Sequence, residues 1–359
     1  MMGLFVRQSR FLVALIIGFT ALVSLASQET AQDILGSTGV KGGLIVHLGC
    51  GDGELTAALR QSDAFIVQGL DSNKKNIPTA RKNIANKGLY GPVSVEYFEG
   101  STLPYAENMV NLIVVTSSYK LQVTSEELER VLAPRGVAMA RKGSGLDFTG
   151  GDGAESKRPD PEEGLKGWTK LTKPVPPNID DWSHYLHDAG NNAVAEDLVS
   201  GPPRRLKWAS DPLWLRSHET PSGFQALVSA GGRVFHILDD GIIGIVDQRL
   251  PAKWSIVCQD AFNGKLLWKK PLPNWGWREW AKNSVAGKDL TRVPGLRGKL
   301  PKNNNWRLVA DDDRVYVTLG YNAPLSILDA ATGKLIKTVQ ETAGTQHIRT
   351  LDGKVVVFT

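Results

Sequence analysis

The stretch that decides the fold runs from Leu44 to Gly53 and reads Leu-Ile-Val-His-Leu-Gly-Cys-Gly-Asp-Gly. An apolar run typical of a buried strand ends there in glycines at alternate positions, and a helix-compatible segment, Glu54 to Arg60, follows directly. A second largely apolar run, Phe65 to Leu70, ends in the acid Asp71. This order of strand, glycine turn, helix, strand and acid predicts a nucleotide-binding βαβ unit.

The residues of the turn explain why a ligand is expected there. Gly49, Gly51 and Gly53 have no Cβ, so the backbone can approach a ligand closely, and the N-terminus of the next helix presents free N–H groups. Asp71 stands where a carboxylate can accept two ribose hydroxyls. The alternative is that the glycines only serve a tight turn, which any doubly wound domain needs at this point.

Length and composition exclude several classes of protein. The 359 residues exceed one ordinary domain, which makes two domains the natural expectation. The hydrophobic share of 42% and the charged share of 22% are those of a globular protein. The net charge of +5 is not concentrated in one run, so no nucleic-acid partner is expected. The two cysteines, Cys50 and Cys258, fall in different predicted domains, which argues against a disulfide, and no zinc spacing exists.

The N-terminus resembles an export signal. Arg7 and Arg10 precede an apolar and small-residue stretch over residues 11–26, and Ser24 and Ala26 are small residues suited to an export peptidase. We therefore predict a signal peptide at residues 1–26, cleavage after Ala26, and a periplasmic or cell-envelope location. The stretch is a little short for a spanning helix, and an uncleaved membrane anchor over residues 11–26 is the alternative.

The domain organisation follows from changes in periodicity. A polar linker is predicted over residues 27–40, and an α/β Rossmann-like, doubly wound domain over residues 41–177, because strand and helix patterns alternate there. Residues 143–167 are rich in Gly, Asp, Glu, Lys and Pro and are interpreted as a loop or reduced region. The predicted elements of this domain are the strands Leu44–Leu48, Phe65–Leu70, Val93–Tyr97, Leu112–Thr116, Val137–Ala140 and Trp168–Thr172, and the helices Lys75–Lys87 and Ser125–Leu132.

Residues 178–359 contain an internal repeat. Gln-Asp-Ala-Phe-Asn-Gly-Lys-Leu-Leu-Trp at residues 259–268 matches Leu-Asp-Ala-Ala-Thr-Gly-Lys-Leu at residues 328–335. The step from Val315 to Val355 is 40 residues, and the 81-residue step from Val234 to Val315 predicts an insertion within residues 274–305. A 40-residue unit of short strands with hairpin turns predicts all-β propeller blades, here an incomplete propeller. The chain ends within a predicted blade, so we expect it to be the first part of a longer protein.

The first domain, about residues 41–177, resembles the class I S-adenosylmethionine-dependent methyltransferases. The glycine motif at residues 49–53 and Asp71 match the family's cofactor motif, and Glu129-Arg130-Val131-Leu132-Ala133-Pro134-Arg135-Gly136 resembles its passage into the fifth strand. The resemblance implies S-adenosylmethionine as a small-molecule cofactor. The cofactor-binding residues that it implies are His47, Gly49, Cys50, Gly51, Gly53, Asp71, Ser72 and Ser101.

Three departures from the family pattern bear on catalysis. His47 replaces an acid before the first glycine, Gly100-Ser101 replaces the acid expected near the adenine amino group, and Val110-Asn111 replaces a phenylalanine-aspartate pair. We interpret His47 as a polar residue that lines the pocket and Cys50 as a residue that is not a nucleophile. No catalytic residue is assigned.

The second domain resembles the pyrroloquinoline-quinone-type β-propeller repeat. The motif of aspartate, threonine-glycine-lysine and tryptophan is present twice, with Trp268 at the tryptophan position and Lys337 in its place in the next copy. Leu206-Lys207-Trp208 resembles the strand that enters such propellers. Adjacent cysteines are missing, and repeats alone imply no cofactor, so pyrroloquinoline quinone is not expected.

Two residue groups in the second domain have two interpretations each. His184 and His187 lie in an Asp-Asp-Trp-Ser-His-Tyr-Leu-His-Asp stretch, residues 180–188, that offers metal-ligand types. We favour a structural loop there and assign no metal ligand. Trp275, Trp277 and Trp280 form either an exposed ligand surface or an internal packing cluster.

Two functions remain open from the sequence. In the first, the N-terminal domain transfers a methyl group to an unknown acceptor, and the propeller is a binding or scaffold module; Gly49, Gly51, Gly53 and Asp71 favour it. In the second, the chain is an exported, non-enzymatic propeller scaffold with a degenerate methyltransferase domain. The export signal favours this one, because S-adenosylmethionine is a cytoplasmic metabolite. A protein partner would bind through the propeller, and the membrane would be contacted only through an uncleaved N-terminal segment.

Overall fold

The structure, a computed structural model, describes residues 25–117, 122–146, 165–199, 201–202, 206–212, 223–242, 250, 252–292, 301 and 303–359. The chain divides into two units between Pro174 and Val175, three residues before the predicted boundary. Most of the predicted signal peptide, residues 1–24, lies outside the described residues. Within the described part of the chain, no helix has the length and apolar character needed to cross a membrane.

The N-terminal unit is built on a six-stranded sheet with the order β3-β2-β1-β4-β5-β6. The first five strands are parallel, and β6 runs antiparallel to β5. This sheet confirms the predicted α/β, Rossmann-like architecture, and its strand order reverses beside β1, where such sheets bind ligands at the carboxyl ends of their strands. The strands are β1 (Gly43–Leu48), β2 (Phe65–Asp71), β3 (Val93–Tyr97), β4 (Val110–Val115), β5 (Leu132–Arg141) and β6 (Trp168–Thr172).

Helices cover both faces of this sheet. Helix α1 (residues 25–38), α2 (Glu54–Ala58) and α3 (Asn76–Asn86) bury apolar side chains in one core with alternate residues of the strands. Helix α4 (Ser125–Val131) packs into a second core, which contains the opposite residues of the same strands. Alternation along each strand therefore supplies both cores, as expected for a buried parallel sheet.

Two predicted segments differ from the structure. The polar linker expected over residues 27–40 is wrong, because residues 25–38 are helical. Ala31, Ile34 and Leu35 recur at helical spacing and are buried, and this short apolar stripe is enough to dock α1 on the sheet. Strand β5 also begins five residues earlier than expected, directly after α4, because a bulge opposite β4 absorbs Pro134 and the left-handed Arg135.

The C-terminal unit consists of antiparallel sheets. Four strands pair in the order β10-β9-β8-β7, four more in the order β11-β12-β13-β14, and β15 and β16 form a hairpin. These sheets are compatible with propeller blades. The strands are β7 (Phe224–Ala230), β8 (Arg233–Asp239), β9 (Trp254–Asp260), β10 (Leu266–Pro271), β11 (Leu308–Asp311), β12 (Arg314–Thr318), β13 (Leu325–Asp329), β14 (Leu335–Val339), β15 (His347–Leu351) and β16 (Lys354–Phe358).

The sequence repeat has a structural counterpart at two tryptophans. The Trp208 indole donates to the carbonyl of Ala261 at 3.2 Å, and the Trp268 indole donates to that of Ala330 at 2.9 Å. Trp268 lies against Gly333, where an added Cβ would stand 2.6 Å from the indole, and Trp208 lies in the same way against Gly264. Each glycine has a positive φ, so both the turn and the ring demand glycine at this point of the repeat.

The insertion in the first repeat lies in two places rather than one. Between β10 and β11 the chain forms α5 (Trp277–Trp280), α6 (Lys282–Val285) and the 3₁₀ turns Leu290–Arg292 and Asn304–Arg307, where the sequence predicts it. In addition, β8 and β9 begin 21 residues apart, whereas β12 and β13 begin 11 apart. About ten of the extra residues therefore belong to the connection between β8 and β9.

Candidate functional site

The glycine turn after β1 has the geometry that the sequence predicts. Gly49, Gly51 and Gly53 have φ values of 75°, 56° and 79°, which side chains rarely adopt. A Cβ on Gly49 would collide with the backbone of Ser117, so this glycine lets the turn pack against the chain that follows β4. A Cβ on Gly51 would meet no protein atom within 4 Å. The turn therefore leaves open space above Gly51, where a ligand can lie directly on the backbone.

Asp71 holds this turn from the end of β2. Its side chain is buried, and Oδ2 accepts a hydrogen bond from the Gly51 backbone N–H at 2.8 Å. Oδ1 accepts from the Asn73 N–H at 2.8 Å, and the Asn76 amide donates to both oxygens at 3.1 and 3.2 Å. A carboxylate offers about four acceptor sites. The four hydrogen bonds from these three donors fill those sites, so a ribose hydroxyl can bond Asp71 only where the Asn76 amide gives up at least one of its two bonds.

His47 lies behind the turn rather than lining a pocket. The imidazole is 1% exposed and contacts the hydroxyls of Thr56 and Thr116 at 2.8 and 2.9 Å. The Thr116 hydroxyl donates to the Gly49 carbonyl at 2.7 Å, so Nε2 donates to Thr116 and Nδ1 accepts from Thr56. Burial lowers the pKa of His47 to about 4, and the nearby Asp71 charge opposes this only in part. The ring is therefore a neutral support for the turn.

The other predicted site residues take different positions. The Cys50 side chain is buried against Gly69, and burial raises its thiol pKa to about 12, which agrees with an unreactive cysteine. Ser72 is partly buried directly after Asp71, and Ser101 is exposed in the loop that follows β3. The structure thus brings Gly51 and Asp71 together and keeps the side chains of His47 and Cys50 out of the open space.

Beside the turn, a cavity of about 500 Å³ opens at the carboxyl ends of β4 and β5. Thr116 belongs to its wall and also bonds the Gly49 carbonyl, so the cavity adjoins the glycine turn. The volume suits a small molecule. Its charged lining residues, among those described, are Arg141 and Lys166, both basic. The other lining residues are Ala26, Ser27, Thr30, Leu55, Gly167 and Trp168.

In the C-terminal unit, the histidine pair sits in a turn and not on a helix face. His184 Nε2 accepts from the Thr350 N–H at 3.1 Å, and its Nδ1 contacts the Ser183 hydroxyl at 2.7 Å. His187 Nε2 bonds Asp180 Oδ2 at 2.8 Å. These bonds support the structural interpretation of the motif. No group of three metal-ligating side chains occurs among the described residues.

The three insertion tryptophans pack inside the C-terminal unit. Trp275 and Trp277 are 4% and 2% exposed, and Trp280 stands edge-on to both Trp254 and Tyr321 at 5.9 and 5.8 Å. Of the two interpretations, the structure supports the internal cluster. Asn76, Thr56 and Thr116 were not singled out from the sequence. Asn76 is the first residue of α3, five residues after Asp71, and this closeness in the sequence is the one signal for it.

Comparison with known proteins finds a similarity to methyltransferase domains within the first unit. A methyltransferase domain model matches residues 45–136. No curated protein matches the chain. Solved structures that resemble it include a candidate S-adenosyl-L-methionine-dependent methyltransferase from Methanococcus maripaludis, with 25% identity over 32% of this chain and 54% of that one and a TM-score of 0.30. Another is an S-adenosylmethionine-dependent methyltransferase from Aquifex aeolicus, with 21% identity over 31% of this chain and 62% of that one and a TM-score of 0.28. Geranyl diphosphate C-methyltransferase from Streptomyces coelicolor A3(2) has 16% identity over 31% of this chain and 44% of its own and a TM-score of 0.29.

The matched residues contain the glycine turn and Asp71, whereas most residues that line the adjoining cavity lie outside the matched range. The matched range, residues 45–136, includes the glycine turn, Asp71 and β4, and it supports a methyltransferase domain with S-adenosylmethionine as its cofactor. The chain spans about half the length of the solved structures that it resembles. The C-terminal unit lies outside the matched residues.

Proposed function

We propose that the N-terminal unit of this chain transfers a methyl group from S-adenosylmethionine to a small acceptor bound in the adjoining cavity. The observation that carries this proposal is the open space above Gly51, next to the buried carboxylate of Asp71. Open space over a glycine is common on a protein surface and also occurs at Gly88. At Gly51 it lies beside Asp71 at the carboxyl ends of the strands, where sheets of this kind bind nucleotides.

Each part of the site has a role in this proposal. The Gly51 backbone lies under the cofactor, and Asp71 accepts a ribose hydroxyl in place of one of its two bonds from the Asn76 amide. Ser72 and Ser101 are the further polar groups that the family pattern assigns to the cofactor. His47 and Thr116 fix the shape of the turn through the Gly49 carbonyl.

The chemistry relies on alignment. When bound, the cofactor supplies a methyl group on a positively charged sulfur, and no acid or base is required to activate it. His47 is neutral with both nitrogens engaged, and the Cys50 thiol is protonated, so neither supplies a base. The protein therefore contributes by holding the acceptor in line with the methyl carbon and keeping water out. The acceptor attacks with its own lone pair and releases its proton to solvent.

The cavity suggests the chemical character of the acceptor. Arg141 and Lys166 are the charged lining residues among those described, and hydroxyls of Ser27, Thr30 and Thr116 complete its polar wall. A basic wall favours an acceptor with a negative group. We propose a small anionic acceptor, with Trp168, the cross-strand neighbour of Arg141, as an apolar part of the wall.

We propose that the C-terminal unit is part of a β-propeller that serves as a binding module. The repeated docking of Trp208 and Trp268 on glycine turns supports this, since each sheet needs a neighbour to cover its faces. We also propose that the protein is exported by residues 1–26 and acts in the periplasm or cell envelope, and that the uncleaved form is anchored by residues 11–26.

One observation favours the second function, a scaffold with a degenerate methyltransferase domain. The Asn76 amide already bonds both oxygens of Asp71, where a cofactor ribose would bind. If this amide blocks the site, wild-type protein would not bind S-adenosylhomocysteine and Asn76→Ala would. Under the methyltransferase proposal, both proteins bind it.

Calorimetric titration with S-adenosylhomocysteine tests the proposed function. Gly51→Ala and Gly88→Ala form a matched pair, because both glycines have a positive φ and neither would place a Cβ within 4 Å of a protein atom. Both substitutions cost similar backbone strain, but only the one at Gly51 fills the ligand space. We expect binding by wild type and Gly88→Ala, and at least tenfold weaker binding by Gly51→Ala. Equal affinity of the two variants, or no binding by wild type at millimolar ligand, would contradict the proposal.

A further inference from the structure

Among the described residues of the C-terminal unit, seven polar side chains are buried with a polar atom that has no hydrogen-bond partner. Five of the seven lie around one short turn. They form what we call the orphan cluster, and each has at least one buried polar atom with no partner. Such atoms are rare in folded proteins, and each one calls for an explanation such as a ligand, an ion or a bound water. The cluster comprises Gln225, Trp275, Asn304, Arg307 and Thr318, with exposed fractions of 7%, 4%, 1%, 2% and 0%.

The five residues come together around one short element. Asn304 and Arg307 are the ends of a single 3₁₀ turn, where residues three apart stack on the same side. This turn packs against β7, which carries Gln225, and against β12, which ends in Thr318. The Trp275 ring centre is 5.9 Å from the guanidinium carbon of Arg307. Chain segments from four parts of the unit thus converge there.

Arg307 lacks a counter-charge. One of its terminal nitrogens donates to the Tyr321 carbonyl, and the guanidinium lies 4.3 Å from the centre of the Tyr321 ring, while Nε has no partner. No carboxylate of the described residues forms an ion pair with it. Buried charges in proteins are normally paired, because removing them from water is costly. Aromatic rings compensate part of this cost, and a water molecule would satisfy Nε but not the charge. An anion would satisfy both.

A backbone irregularity lies at the same place. The register of β7 against β8 shifts between Gln225 and Val228, and Ala226 has a φ of 52°, which is strained for a residue with a Cβ. The Ala226 N–H donates to the side chain of Asn305, next to Asn304, at 3.1 Å. Bulges of this kind redirect side chains and occur often beside functional sites. Here the bulge begins at Gln225, in the strand that packs against the 3₁₀ turn.

The unpaired atoms define the ligand chemistry. Arg307 Nε and Trp275 Nε1 can only donate, so they require an acceptor such as a carboxylate. The carbonyl oxygens of Asn304 and Gln225 can only accept, so they require hydroxyl donors. An anion without hydroxyl groups, such as acetate, would leave these two oxygens unpaired, and phosphate carries only one or two hydroxyl donors near neutral pH. We propose that the orphan cluster binds a hydroxycarboxylate, such as a sugar acid, with the carboxylate on Arg307 and the hydroxyls on the amide oxygens.

Titration of the full chain with D-gluconate, at matched ionic strength, tests the proposal. Acetate supplies the charge without the hydroxyls, and D-glucose supplies hydroxyls without the charge. We expect saturable binding of D-gluconate to wild type, and at least tenfold weaker binding of acetate, inorganic phosphate and D-glucose. Absence of saturable D-gluconate binding, or equal binding of any of the other three compounds, would overturn the proposal.

Variants locate the site. Arg307→Met should weaken D-gluconate binding at least tenfold, whereas Arg314→Met, the same change at an exposed arginine of β12, should leave it unchanged. If Arg307→Met does not fold, Asn304→Ala replaces it and should weaken binding at least threefold. Binding that Arg307→Met or Asn304→Ala retains in full would overturn the assignment. The titration does not depend on S-adenosylmethionine, so it can succeed or fail independently of the methyltransferase proposal.

Discussion

Replacing Asp71 with alanine removes the group that joins the glycine turn to β2. In the folded chain this carboxylate accepts from the backbone N–H groups of Gly51 and Asn73, each at 2.8 Å. A hydrogen bond to a charged acceptor contributes about 1.5–3 kcal/mol. Asn73 is exposed, so its N–H regains water in Asp71→Ala, whereas the Gly51 N–H is only partly accessible. We therefore expect the free energy of local opening of the turn to fall by about 2–3 kcal/mol, which is close to the contribution of one such hydrogen bond.

Hydrogen–deuterium exchange with mass spectrometry measures this change locally. The method follows peptides from the glycine turn separately from the C-terminal unit, which would otherwise mask the effect. A loss of about 2–3 kcal/mol corresponds to exchange that is faster by about 30- to 150-fold, since 1.4 kcal/mol is a factor of ten. Asp63→Ala is the matched control, because the Asp63 side chain is 99% exposed and only pairs with Arg60. Unchanged exchange in Asp71→Ala, or an equal effect in Asp63→Ala, would show that Asp71 does not hold the turn.

Three further predictions concern other parts of the chain. Burial lowers the pKa of His47 from 6.5 to about 4, so the stabilisation of the turn by the neutral ring is complete above pH 6.5 and is lost as the pH falls to 4. Hydrogen exchange should show that the free energy of opening the turn falls by about 3 kcal/mol over this range, and His47→Gln should remove this pH dependence. Gly333→Ala should lower the melting temperature more than Gly353→Ala, because both glycines have a positive φ but only Gly333 lies against Trp268; equal shifts would argue against the docking contact. Intact-mass measurement after expression in a bacterial host should give a protein that begins at Ser27, and a full-length product would reject cleavage there.

The N-terminal sheet could be predicted from the sequence because its signals are local. Apolar runs of strand length, the alternate glycines and Asp71 lie within one βαβ unit, and the structure places β1, β2 and the turn within one residue of the expected bounds. Helix α1 was missed, since three buried residues, Ala31, Ile34 and Leu35, are its only apolar stripe in a polar stretch.

The support for the site could not be predicted because it depends on distant pairs. Thr116 meets His47 across 69 residues, and no local pattern connects a threonine after β4 with a histidine in β1. The expectation that His47 lines the pocket came from its place in the motif, whereas its orientation is set by Thr56 and Thr116.

In the C-terminal unit too, local features could be predicted from the sequence and contacts between distant residues could not. Its repeat predicts hairpins and glycine turns correctly, because turn chemistry is read from neighbouring residues. The orphan cluster draws residues from β7, β12, the insertion and a 3₁₀ turn, and Arg307 has no feature in the sequence that distinguishes it from the exposed Arg314.

We propose that S-adenosylmethionine binds over Gly51 and is held by Asp71. A crystal structure of the full chain with S-adenosylhomocysteine would show this binding site. We expect the ligand to occupy the open space above Gly51, a ribose hydroxyl to donate to an Asp71 oxygen, and His47 to stay bonded to Thr56 and Thr116. A ligand bound elsewhere on the chain would show that the proposed site is wrong, and so would a site in which Asp71 bonds only Gly51, Asn73 and Asn76 at saturating ligand.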